Sequence, residues 1–100
     1  MIKHIVMWKL KEMEETQKIA AMEKIKKNLE DLNGQIEGVV SIEVGIDFLQ
    51  SDASYDVVLY SVLKSKEALE NYQAHPLHVK VATETIKPLI KSRIVVDYKI

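Results

Sequence analysis

Ile2-Lys3-His4-Ile5-Val6-Met7-Trp8-Lys9-Leu10 alternates at period two. Ile2, His4, Val6, Trp8 and Leu10 fall on one face of an extended chain, and Lys3, Ile5, Met7 and Lys9 on the other. Period two is the signature of a strand, and both of its faces have apolar centres, so this strand asks for cover on both sides. Tyr55 to Leu63 repeats the pattern, with Tyr55, Val57, Leu59, Ser61 and Leu63 opposing Asp56, Val58, Tyr60 and Val62. So does Arg93 to Tyr98, where Ile94, Val96 and Tyr98 oppose Arg93, Val95 and Asp97. Val39 to Phe48 is the remaining strand. Gly45 interrupts it and signals a bulge or a close backbone approach.

Between the strands the period changes. After a charged connection, Lys11 to Glu15, Thr16 is the expected helix N-cap. Ile19, Met22, Ile25, Leu29 and Leu32 then recur at spacings of three and four, and Asn33-Gly34 stops the helix. The charges from Lys18 to Asp31 form its wet side. Ser65 caps a second helix that turns Ala68, Leu69 and Tyr72 inward. His75-Pro76 breaks it, because a residue before proline is pushed out of the α region, and Pro76 opens a further helix. The stripe expected there is Val79, Ala82, Ile86 and Leu89, with a kink or an end at Pro88.

The order β-α-β-β-α-(α)-β predicts an α+β fold: a ferredoxin-like sandwich, an antiparallel four-stranded sheet with helices on one face. One domain spans residues 1–100, since no linker, repeat or low-complexity tract divides them. Helices on one face leave the other apolar face bare, and the chain has no element left to cover it. A second copy's sheet is the economical partner, so a homodimer is expected.

Composition narrows the functions. There are 14 Lys and Arg against 15 Asp and Glu, a net charge of −1, so no basic footprint for nucleic acid exists. With no cysteine, disulfides, thiolate metal sites and a cysteine nucleophile are excluded. No apolar run is long enough for a membrane span, and a cytoplasmic protein is expected.

The segments Ile2-Lys3-His4-Ile5-Val6, Gly38-Val39-Val40-Ser41-Ile42-Glu43-Val44-Gly45, Tyr72-Gln73-Ala74-His75-Pro76-Leu77-His78-Val79 and Val95-Val96-Asp97-Tyr98 resemble the stress-responsive dimeric α/β-barrel (Dabb) family. The resemblance runs through essentially the whole chain. It implies a dimeric α/β barrel, two sheets packed face to face with a cavity between each sheet and its helices. One branch is similar to a plant polyketide cyclase that closes a linear polyketide by aldol condensation without a cofactor. Its catalytic tyrosine and histidine match Tyr72 and His78, and its pocket histidine matches His4; a further histidine of that enzyme is replaced here by Val57. A second branch comprises heat-stable stress proteins, and related dimeric-barrel monooxygenases work without metal or flavin.

Chemically, a neutral imidazole can take a proton beside a carbonyl while a phenol donates to the developing enolate oxygen. Tyr72 and His78 are therefore the candidate catalytic pair, and His4, His75 and Trp8 the candidate substrate contacts. His78 should hold its neutral form, its pKa lowered by a helix N-terminus and by burial. The bland readings are that Tyr72 and His4 are core residues and that His78 fills space. His4, His75 and His78 could form a three-histidine zinc site. However, His75 should point away from His78, and no acidic residue lies close in sequence as a supporting shell. No metal or cofactor is expected. A cyclase or lyase, a small-ligand binder without chemistry, and a stress-associated dimer all fit these residues.

Overall fold

The computed structural model describes residues 1–100. β1 (Ile2–Leu10), α1 (Glu15–Glu30), β2 (Val39–Ile46), β3 (Val57–Leu63), α2 (Lys66–Ala74), α3 (Pro76–Lys80), a π-helical turn (Val81–Ile86) and β4 (Ile90–Lys99) follow one another. The sheet is antiparallel throughout in the order β2-β3-β1-β4, the ferredoxin-like arrangement expected. No helix is long and apolar enough to cross a membrane.

Every second residue of β1 is buried beneath the helices: Ile2, His4, Val6, Trp8 and Leu10. They meet Ile25 and Leu29 of α1 and Tyr72 of α2 in a single core. The opposite face carries Ile5 and Met7 of β1 beside Val58 and Tyr60 of β3 and Ile94, Val96 and Tyr98 of β4. No element of the chain covers that face, and Val96 stands 60% exposed on it.

The two edges of the sheet are treated differently. β2 pairs only with β3, which leaves the backbone groups of Ile42 and Val44 facing outward. Side chains from the end of α1 meet them. Asn33 accepts from the Ile42 N–H at 2.8 Å and donates to the Ile42 carbonyl at 2.8 Å. Glu30 accepts from the Val44 N–H at 2.9 Å, and Lys26 donates to the Val44 carbonyl at 2.6 Å. The helix thus stands in for a missing strand and blunts an edge that would otherwise recruit one. Asn33-Gly34, expected only to stop α1, also ties that helix to the sheet.

Several boundaries differ from expectation, each for a local reason. α1 begins at Glu15, with Glu14 at the cap position making no side-chain bond, so Thr16 lies inside the first turn. Acidic Glu15 supplies the favourable charge at that helix end instead. Strands β2 and β3 are shorter than the apolar pattern implied. The Asp56 carboxylate is buried, accepts from the Leu10 N–H at 2.8 Å and pairs with Lys18 at 3.0 Å, pinning the turn before β3. Phe48 consequently leaves the sheet and is 93% exposed, not a core residue. The β2 register shift falls between Val39 and Ser41, not at Gly45. Gly45 instead marks a close approach, since a Cβ there would lie 3.1 Å from Val58 Cγ1. Gly38 is the more constrained glycine: its φ is +86°, and a Cβ would sit 2.7 Å from the Ala68 Cβ where β2 meets α2.

Ser65 and Pro76 act as expected. The Ser65 hydroxyl accepts from the Ala68 N–H at 3.1 Å, and Pro76 occupies the first turn of α3. Beyond α3 the helix widens, with the Lys87 N–H reaching the Ala82 carbonyl at 2.9 Å, five residues back. The extra residue rotates the stripe. Thr85 and Ile86 turn inward while Val79 is left exposed, contrary to the regular spacing. The helix ends at Ile86, two residues before Pro88.

Candidate active site

β1 and β4 pair so that His4 lies opposite Asp97, Val6 opposite Val95, and Trp8 opposite Arg93, all on the helix-covered face. α3 and the π-helical turn cross above them. Between sheet and helix lies a cavity of about 220 Å³. Val6, Trp8, Leu29, Leu59, Ile86 and Ile90 give it apolar walls, and His4, His78, Lys87 and Arg93 are its polar groups.

His4 is buried and its Nδ1 is hydrogen-bonded to the Asp97 carboxylate. A carboxylate only accepts, so the His4 Nδ1 carries a proton and donates it. The hydroxyl of Ser61, across the β1–β3 pair, donates to the His4 carbonyl at 2.9 Å. His78 is held in a similar way. Its Nδ1 lies 3.1 Å from the Gln73 carbonyl and donates to it, which leaves Nε2 with the lone pair in the neutral ring. A carbonyl partner fixes both tautomer and ring orientation.

Tyr72 stands beside both imidazoles. Its ring centroid is 4.4 Å from that of His78 and 6.2 Å from that of His4, the latter contact edge-on. The phenol is fully buried, yet no protein group lies within hydrogen-bond reach of its hydroxyl. A buried polar group without a partner costs about 1–3 kcal/mol, so native chains rarely keep one idly. Burial pushes the Tyr72 pKa up to about 12, making it a hydrogen-bond donor across the physiological range.

The His78 imidazole is held below its ordinary pKa. Burial is the leading cause, opposed by the Gln73 carbonyl and reinforced by His4, Arg93 and His75. The expectation of a depressed value stands, with burial as its main source; α3 is only five residues long. The unfolded chain therefore binds this proton at a higher pH than the folded one. As pH falls below about 6.5, toward the folded value, stability should decline, and above about 6.5 this contribution is constant. Urea midpoints measured across pH 5–8 should show that slope, and His78→Gln should flatten it. An unchanged slope in the variant would assign it to another group.

His4, Trp8 and His78 thus line one cavity, with Tyr72 packed against two of them rather than on its wall. His75 is not brought there. It caps α3, its Nδ1 accepting from the Leu77 N–H at 3.1 Å, and this correction follows from the extended backbone that Pro76 imposes on it. Asp97, Arg93 and Lys87 are the site residues that the sequence reading missed. The period-two pattern put Arg93 and Asp97 on one face of β4, but only the strand pairing sets that face against His4 and Trp8.

A ferredoxin-like α+β domain with a histidine-lined cavity between its sheet and its helices is the class that this architecture defines. The chain belongs to the Dabb family, the stress responsive A/B barrel domain, whose family model matches residues 2–100. It is 32% identical over 100 residues to a stress-response A/B barrel domain-containing protein of Arabidopsis thaliana. That match takes in 97% of this chain and 36% of the plant protein, so the chain spans little more than a third of its relative's length. Among solved structures, a dimeric protein of unknown function and ferredoxin-like fold from Bacteroides fragilis superimposes with a TM-score of 0.89 at 30% identity, covering 99% of this chain and 95% of that one. The hydroxynitrile lyase of Passiflora edulis superimposes at 0.78 with 19% identity, covering 99% of this chain and 92% of the lyase, a likeness of fold.

Proposed function

We propose that this chain is a homodimer whose cavity is a cofactor-independent catalytic site of cyclase or lyase type. The observation that carries the reading is the buried, unpartnered Tyr72 hydroxyl in ring contact with His78, a neutral-leaning imidazole on the cavity wall. His78 Nε2 takes a proton from a carbon adjacent to a carbonyl, and the C–H electron pair moves into the enolate. Tyr72 donates a hydrogen bond to the enolate oxygen as its charge grows. In a cyclase the enolate carbon then bonds to a second carbonyl carbon, and the imidazolium returns its proton to the new alkoxide. A lyase runs the sequence in reverse: His78 takes the hydroxyl proton, the C–C bond breaks as the carbonyl forms, and the imidazolium returns the proton to the departing carbanion. Because Tyr72 packs behind His78, the bound carbonyl must open the contact between the two rings to receive its hydrogen bond.

The dimer is supported by the uncovered apolar face around Ile5, Tyr60 and Val96 and by the dimeric description of the Bacteroides fragilis relative. Sheet faces joined in this way leave each cavity beneath its own helices.

A second reading, a ligand binder without chemistry, is favoured by one feature: Tyr72 does not itself line the cavity. A panel of diketides, triketide thioesters and α-hydroxynitriles, assayed for turnover and for thermal stabilisation, separates the two. Turnover that needs both Tyr72 and His78 supports the enzyme. Stabilisation without turnover supports the binder.

A further inference from the structure

We infer that the cavity selects a small apolar monoanion, a ring or short acyl body carrying one carboxylate, with Arg93 and Lys87 as the anion contact. This rests on the reading of the cavity as a ligand site and adds the class of ligand. Every polar side chain on the cavity wall is basic: His4, His78, Lys87 and Arg93. No aspartate or glutamate is among them, and Asp97, the nearest acid to His4, is already engaged by its Nδ1. The lysine ion pairs of the chain are Lys18–Asp56, Lys26–Glu30 and Lys27–Asp31, and Asp97 is held by His4, so no carboxylate neutralises Arg93 or Lys87.

Position matters as much as charge. Arg93 lies across from Trp8 on the inner face of β4, and Lys87 follows the π-helical turn, so the two cations approach the cavity from the sheet and from the helix layer. Both are exposed residues, while Val6, Leu29, Leu59 and Ile86 beneath them are buried. An anion can therefore keep its charge at the wet rim, where desolvation is small, and bury its apolar body below. Arginine adds the planar fork that matches a carboxylate with two parallel hydrogen bonds. A dry apolar cavity of about 150 Å³ already accepts benzene, so 220 Å³ leaves room for a six-membered ring and its carboxylate.

The test uses the full chain and two probes of equal shape, benzoate and neutral benzamide, titrated at pH 7.5 and followed by amide shifts of Ala82, Ile86 and Ile90. Benzoate should bind at least about tenfold more tightly than benzamide, with the difference shrinking at high salt. Arg93→Gln should remove most of that preference and leave benzamide unaffected, and Arg93→Lys should restore part of it. Equal binding of the two probes would overturn the anion inference while leaving the cavity a ligand site. Binding of neither would overturn both.

Discussion

Val96→Asp is expected to split the proposed dimer into single chains of 11.5 kDa. Val96 pairs with Ile5 across β4 and β1 and sits among Met7, Ile94 and Tyr98 on the face that the helices leave bare. At 60% exposure it is the most exposed apolar residue within the sheet. Burying it against a second copy returns roughly 25 cal/mol for each Å² removed from water. A carboxylate at the same place would have to be desolvated without a partner, a penalty of several kcal/mol counted twice in a symmetric interface. Sedimentation at micromolar concentration should give about twice the chain mass for the parent and the chain mass for the variant, and circular dichroism should show the secondary structure retained. A parent that sediments as a monomer would overturn the dimer, and a variant that remains dimeric would place the interface elsewhere.

His78→Ala is expected to lower turnover by about 10²–10⁴-fold, the usual contribution of a positioned general base. Stability should change by less than about 1 kcal/mol, because the side chain borders a cavity and its partner, the carbonyl of exposed Gln73, can turn to water. In the parent, turnover should rise with pH over a range displaced below the ordinary imidazole value of about 6.5, where His78 loses its proton, and level off above it. The sign follows from a base that acts only when neutral. If instead the alanine variant lost about 1–3 kcal/mol and kept its turnover, His78 would be a packing residue whose hydrogen bond serves the fold.

Much of the fold could be read from local chemistry. The two-sided alternation of Ile2 to Leu10 specified a strand with two apolar faces, and β1 is a strand with both, one of them buried beneath the helices. Ser65, Pro76 and Asn33-Gly34 marked helix ends because caps and turns depend on a few adjacent residues. Tyr72 and His78 were paired by the family resemblance of the segment that spans the His75-Pro76 break, and their rings are in contact. Features that depend on distant pairing were not legible. Asp97 lies opposite His4 only through the β1–β4 register, 93 residues away in the chain. The π-helical turn inserts one residue and sends Val79 outward, which no regular periodicity anticipates. The strand read from Val39 to Phe48 stops at Ile46, because the buried Asp56 carboxylate pins the turn before β3 and leaves Phe48 outside the sheet. The edge of β2 is protected by Asn33, Glu30 and Lys26, polar residues that read as an ordinary wet helix face until the edge is seen beside them.

Tyr72→Phe removes one buried oxygen from behind the His78 wall of the cavity and nothing else. A phenol kept for packing would have found a protein partner for its hydroxyl, whereas one kept for chemistry holds it unpaired at a cost to stability. Denaturant unfolding and substrate turnover, measured side by side on the parent and this variant, should therefore move in opposite directions: the phenylalanine chain more stable by about 1 kcal/mol or more, and its turnover lost. A variant that is less stable than the parent and turns over the same substrates equally well would contradict the assignment of Tyr72 to the active site.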